Sequence, residues 1–147
     1  MQPIIDHIQI TVKNLEIAEP FYDKLMPILG FDINRKSKGT VKAHDFEVVE
    51  YFHPLLIFAI NSPREAFKND TVHRRKPGAL HHLAFKVNSI NEVDEIYPLI
   101  KNIGAEIVNP PQFYPQHGEH YYALFFKDLE GIKYEIVTSN STQNVIR

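Results

Sequence analysis

The chain contains no cysteine. Disulfides, thiolate nucleophiles and cysteine-type zinc sites are therefore excluded. No charge of one sign dominates: 16 Lys and Arg face 18 Asp and Glu, for a net charge of −2. That balance argues against nucleic acid or an anionic membrane as the main partner. No long hydrophobic run is present either. "LLIFAI" is far too short to span a bilayer. The opening "MQPIIDHIQITV" lacks a basic region followed by a long apolar one, so no signal peptide is expected. These absences together lead us to expect a cytoplasmic protein.

What is present fits an ordinary globular chain. Its 147 residues suggest one domain, 44% hydrophobic and 23% charged. "IIDHIQITV", Ile4 to Val12, alternates as a strand with Ile8, Ile10 and Val12 on one face. His7, Gln9 and Thr11 take the other. Asn14 can cap a following helix that Gly30 ends, although Pro20 and Pro27 are expected to kink or shorten it. "GFDINRK", "TVKAHDFEVVEYF" and "LLIFAIN" then read as strands. Residues 62–78 read as a polar connector. After it, "LHHLAFKV" is a strand, Ser89 or Asn91 can cap a helix stopped by Gly104, and "AEIVN" is a short strand. "PPQFYPQHGEH" reads as a proline-rich loop, and "YYALFFKD" and "GIKYEIVTS" as a hairpin. The tail "NSTQNVIR" reads as frayed.

The second half repeats the first. A shift of 75 residues lays His7 on His82, Ile8 on Leu83, Ile10 on Phe85 and Val12 on Val87. Tyr22 then meets Tyr97, Leu25 meets Ile100, and the two helix stops fall within one residue of register. Each half reads strand, helix, strand, strand, strand. The fold class is therefore α+β, with two tandem modules at about residues 4–61 and 79–138 of a single domain.

Successive strand side chains point to opposite faces, so His81 and His82 have different roles. His82 corresponds to His7 and lies opposite the apolar face. His81 shares the apolar face, and a structural role packed toward the helix is expected for it. In the last strand, Ile132, Tyr134 and Ile136 form the apolar face, and Lys133, Glu135 and Val137 lie opposite. An acid amid a buried strand is costly unless paired or bound to a cation. If the two modules close around a common cavity, His7, His82 and Glu135 can all point into it. Two imidazoles and a carboxylate suit one divalent ion, Fe, Mn, Ni, Co or Zn, with positions left open for water or substrate.

The segments "DHIQITV", "FYDKLMPILGF", "LHHLAFKV" and "FFKDLEGIKYEIV" resemble the vicinal oxygen chelate superfamily. That group includes glyoxalase I, bleomycin- and fosfomycin-resistance proteins, methylmalonyl-CoA epimerase and extradiol dioxygenases. The resemblance implies two βαβββ modules forming a cupped mixed sheet around a metal cavity, and it implies His7, His82 and Glu135 as the metal ligands. It also implies a small-molecule substrate and a homodimer. Glyoxalase I takes a further carboxylate from its fourth strand, and the epimerases a polar ligand there. Here that strand, "LLIFAIN", has no acid or histidine. Fosfomycin-resistance enzymes hold the phosphonate with a lysine- and serine-bearing loop, and "PPQFYPQHGEH" has neither.

The leading expectation is a metal-dependent, glyoxalase-like lyase or isomerase acting on an oxygen-chelating substrate. A single-domain extradiol-type dioxygenase is the alternative, as is a small-molecule-binding resistance protein without catalysis. Gln9 and Lys133 flank the ligands and could bind a substrate oxygen. Tyr121 or His117 could donate a proton or orient substrate. By parity Tyr121 and Ala123 face the cavity, and Tyr122, Leu124 and Phe126 face the helix. The run "HRRK", His73 to Lys76, could pair with an anionic substrate but reads first as a solvated connector.

Overall fold

Strand alternation and helical spacing resolve into one unit built twice. The computed structural model describes residues 1–139, and the expected frayed tail, 140–147, lies outside them. The chain divides into two compact units, Met1–Thr71 and the part from Val72 onward.

The first unit runs β1 (His7–Thr11), α1 (Leu15–Ile28), β2 (Asp32–Val41), β3 (Phe46–Phe52) and β4 (Ile57–Asn61). Its sheet has the order β1-β4-β3-β2, with β1 parallel to β4 and the other pairs antiparallel. The second unit runs β5 (Leu83–Lys86), α2 (Ile90–Asn102), β6 (Glu106–Phe113), β7 (Tyr122–Lys127) and β8 (Lys133–Thr138). Its order is β5-β8-β7-β6, again with one parallel pair, β5 with β8. The described residues thus form two four-stranded mixed sheets, each with one helix, and neither sheet closes into a barrel. Among them no helix is long and apolar enough to cross a membrane.

Both helices begin on side-chain caps. The Asn14 side chain accepts from the Ile17 amide, and Ser89 forms a reciprocal capping box with Glu92. Both end before a glycine in the left-handed region, Gly30 at φ +90° and Gly104 at φ +87°. Of the kink or shortening expected from Pro20 and Pro27, the shortening does not occur: the first helix runs 14 residues through both. Each proline removes one backbone donor. The apolar face of Leu15, Ala18, Phe21, Tyr22, Leu25 and Met26 is buried along the whole length and keeps the helix together. Opposite charges add to this in the first unit. Lys36 on β2 contacts Glu19, and its Nζ lies 2.7 Å from Asp23 Oδ1. The Tyr51 hydroxyl donates to the same Asp23 carboxylate at 2.9 Å. Burial works to raise the Glu19 carboxyl, but Lys36 and Lys38 outweigh it and hold it below its ordinary range.

Two other readings are corrected. The run "TVKAHDFEVVEYF" is broken by a turn at Lys42–His44, with Asp45 at φ +55°. The proline-rich segment is not wholly a loop, because β6 passes through Pro110 and Pro111. It can do so as an edge strand, where a missing donor need not break a ladder, and its register slips on both sides of Asn109.

The repeat extends to strand register. Ile8 pairs with Phe58 and Gln9 with Ala59 in the first unit; Leu83 pairs with Tyr134 and Ala84 with Glu135 in the second. Since Ile8 matches Leu83, Phe58 matches Tyr134 and Ala59 matches Glu135. Phe58 and Tyr134 are each a fully buried aromatic at the centre of their unit. The following position holds alanine in one unit and an acid in the other.

Candidate metal centre and its surroundings

In the second unit, the register places Ala84, Glu135 and Phe125 side by side across β5, β8 and β7. Lys127 and Lys133 form the adjacent cross-strand pair. The opposite face meets the helix: the Tyr122 hydroxyl donates to Asp94 Oδ1 on α2 at 2.7 Å. Burial and that bond push the Tyr122 phenol up to about 12. Tyr121, one residue earlier, turns the other way.

Glu135 is only 2% exposed, and its two oxygens have different neighbours. Oε1 accepts a short hydrogen bond from the Tyr121 hydroxyl. Oε2 lies 3.3 Å from His82 Nε2. Burial and the bond to Glu135 raise the Tyr121 phenol well above its ordinary value, so it remains protonated and donates. The His117 ring stands 5.2 Å from that of Tyr121, on an exposed turn. Tyr114 packs edge-on against Phe125 at 5.3 Å, and Phe125 lies edge-on to His82 at 6.4 Å. The Lys133 ammonium sits over the Phe125 ring, 4.8 Å from its centroid.

His81 does not pack toward the helix as expected. The strand begins only at Leu83, so alternation does not extend back to His81, which is exposed. Its Nδ1 instead lies 2.8 Å from His82 Nδ1. One of those nitrogens donates and the other accepts. Partial desolvation beside its neighbours and the charges of His82, Arg74, Lys133 and Arg75 lower the His81 imidazole below its ordinary value.

The first unit shows the same device. His7 lies on β1, and its Nδ1 is 2.8 Å from Asp6 Oδ2. In each unit, therefore, the residue just before the candidate ligand engages its Nδ1 and leaves Nε2 for another partner. Neither Asp6 nor His81 was singled out from the sequence for this role. Gln9 donates its amide to Asn61 Oδ1 at 3.0 Å. It lines a cleft of about 560 Å³ in the first unit, with Thr11, His44, Asn61, Arg64 and Phe67 among its walls.

Of the predicted site residues, the structure thus brings together His82, Glu135, Tyr121, His117 and Lys133 in the second unit. His7 and Gln9 are placed in the first. Among the described residues, no group of three or more His, Asp or Glu side chains is positioned to hold a metal ion.

Comparison with known proteins identifies the family that this double unit belongs to. The profile of the Glyoxalase/Bleomycin resistance protein/Dioxygenase superfamily matches residues 4–136, and the chain is a member of that superfamily. It is 28% identical to the uncharacterized protein YqjT of Bacillus subtilis (strain 168) over 132 residues, 89% of this chain and 95% of that one. A provisionally named glyoxalase from Bacillus halodurans superposes with a TM-score of 0.72 at 29% identity, covering 92% of this chain and 96% of its own. The fosfomycin resistance protein FosX of Listeria monocytogenes shares the fold at a TM-score of 0.63 and 19% identity, with both chains fully covered.

Proposed function

We propose that the protein is a metal-dependent enzyme, a glyoxalase-like lyase or isomerase acting on a small substrate that presents two neighbouring oxygens. The observation that carries this reading is the His82–Glu135 pair. The 3.3 Å between Nε2 and Oε2 suits two donors on one ion. Donors about 2.1 Å from a shared metal lie about 3.0 Å apart at a right angle and about 3.4 Å apart at the tetrahedral angle. An imidazole and a carboxylate suit Fe, Mn, Ni, Co or Zn as the divalent ion. If the His82 Nδ1–H donates to His81, the Nε2 lone pair faces that position. His7 is the third ligand by its correspondence with His82, and Asp6 stands to it as His81 does to His82.

When bound, the ion would polarise the substrate oxygens as a Lewis acid. The chain's own residues supply the rest. Tyr121 holds Oε1 of Glu135 and so fixes the direction of Oε2. His117, exposed beside Tyr121, donates a proton to substrate or orients it. Gln9 and Lys133 orient substrate oxygens. Ala59 occupies the position that matches Glu135, so the fourth strand supplies no carboxylate to shuttle a proton. The same reading has the working form as a cytoplasmic homodimer.

Isothermal titration of metal-free protein with Zn(II) or Mn(II) tests the ligand set. His82→Ala and His7→Ala should each weaken binding by more than about 100-fold. His81→Asn, which alters a supporting partner, should cost about 10-fold. Wild-type affinity in His82→Ala would refute the metal-dependent reading and leave a small-molecule-binding protein in its place.

A further inference from the structure

The cleft of about 560 Å³ in the first unit has a polar floor and aromatic walls. Its volume is that of a small-molecule site. Asn61, only 8% exposed, builds the floor. Its Oδ1 accepts from Gln9, and its Nδ2 donates to Thr11 Oγ1 at 3.1 Å and to the Ser62 carbonyl at 2.9 Å. Those bonds hold the amide in one orientation and fix Gln9 and Thr11 beside it. The walls come from two turns. Phe46 follows the turn at Lys42–His44, and the His44 ring stacks on it with centroids 6.3 Å apart. The connector supplies Arg64 and Phe67 from a single tight turn, which the Phe67 amide closes on the Arg64 carbonyl at 2.9 Å. The Phe67 ring is left 58% exposed. A lone exposed ring is ordinary; one on the wall of a cleft that also holds a guanidinium is a place for a flat ligand.

This cleft lies on the face that carries His7. His7, Gln9 and Thr11 alternate as the exposed side of β1, and Thr11 is in register with Asn61 on β4. Phe46 shares that side. Along β3, Val49 and Tyr51 are buried, Tyr51 bonding to α1, while Phe46, Val48 and Glu50 alternate with them. A strand rises about 3.3 Å per residue, so Gln9 stands about 7 Å along β1 from His7. The cleft therefore begins about one ring length from that candidate ligand.

We propose that the cleft binds a flat aryl group bearing an acidic substituent, with the ring against Phe67 and Phe46 and the acid on Arg64. Aromatic rings attract one another in offset or edge-on contact, and a guanidinium takes a carboxylate through parallel N–H bonds. Asp45 is the one acid on the walls. Among the described residues it forms no ion pair with Arg64, which leaves the guanidinium for a ligand. Assigning the aryl acid to the substrate rests on the metal-dependent reading; the cleft itself does not. On that reading the substrate carries an aryl acid beside its chelating oxygens.

The test titrates metal-free protein at low ionic strength with 2-naphthoate, followed by its fluorescence. Saturable binding with a Kd of about 1 mM or tighter is expected. Phe67→Ala should weaken it by about 5-fold, and Arg64→Gln by about 5-fold. Lys101→Gln, which removes a positive charge on α2, should leave it unchanged. The cation 2-naphthylmethylammonium, with the same ring, should bind about 10-fold more weakly than the acid. Circular dichroism confirms that each variant is folded. No saturable binding, wild-type affinity in Phe67→Ala or in Arg64→Gln, or tighter binding of the cation overturns the proposal. A Zn(II) titration of the wild type separates the two claims. Naphthoate binding without metal binding sinks the metal reading alone, and metal binding without naphthoate binding sinks the aryl-acid site alone.

Discussion

Added Zn(II) or Mn(II) should raise the melting temperature of the wild-type protein and leave Glu135→Gln nearly unmoved. A ligand that binds only the folded state stabilises it by mass action, by about 2.7 kcal/mol at one hundred times its Kd. For a chain of 147 residues that corresponds to a rise of about 5–10 °C. The substitution keeps the shape of Glu135, and the amide oxygen can still accept from Tyr121. Only the charge is lost. Glu135→Gln should weaken metal binding far more than it weakens folding. An equal metal response in the two proteins would remove Glu135 from the ligand set.

Phe58→Ala should lower stability by about 3–5 kcal/mol, the usual cost of emptying a buried aromatic site. Phe58 is 0% exposed, stacks on Tyr22 at 5.9 Å and meets Phe31 edge-on at 6.4 Å. It thereby joins β4 to α1 and to the turn after it. Its counterpart Tyr134 stacks on Phe126 at 5.5 Å in the second unit. Urea denaturation of the wild type and the variant measures the difference. A loss under about 1 kcal/mol would mean that the site collapses around the missing ring and that Phe58 is not central to its unit.

The architecture was legible because the apolar periodicity is strong and occurs twice. Matching Ile8 to Leu83 and Tyr22 to Tyr97 fixed the strand and helix order of both units. The prolines misled in two places, for different reasons. In α1 a continuous buried face outweighs the lost donors at Pro20 and Pro27, and in β6 an edge position tolerates Pro110 and Pro111. Parity correctly separated Tyr121 from Tyr122, because Tyr122 opens β7 and Tyr121 directly precedes it. It failed at His81, which lies two residues before β5, where the alternation no longer holds. The clue to its contact with His82 was nonetheless present. Each candidate histidine follows a residue able to hydrogen-bond an imidazole, in "DH" and in "HH".

The central claim is that His82 and Glu135 hold a metal ion, and metal content is its most direct measure. Protein purified without chelator should carry roughly one divalent transition-metal ion per chain by elemental analysis, and His82→Ala prepared in parallel should carry almost none. Wild-type protein that contains no metal and takes none up from Mn(II), Fe(II), Co(II), Ni(II) or Zn(II) would contradict the account.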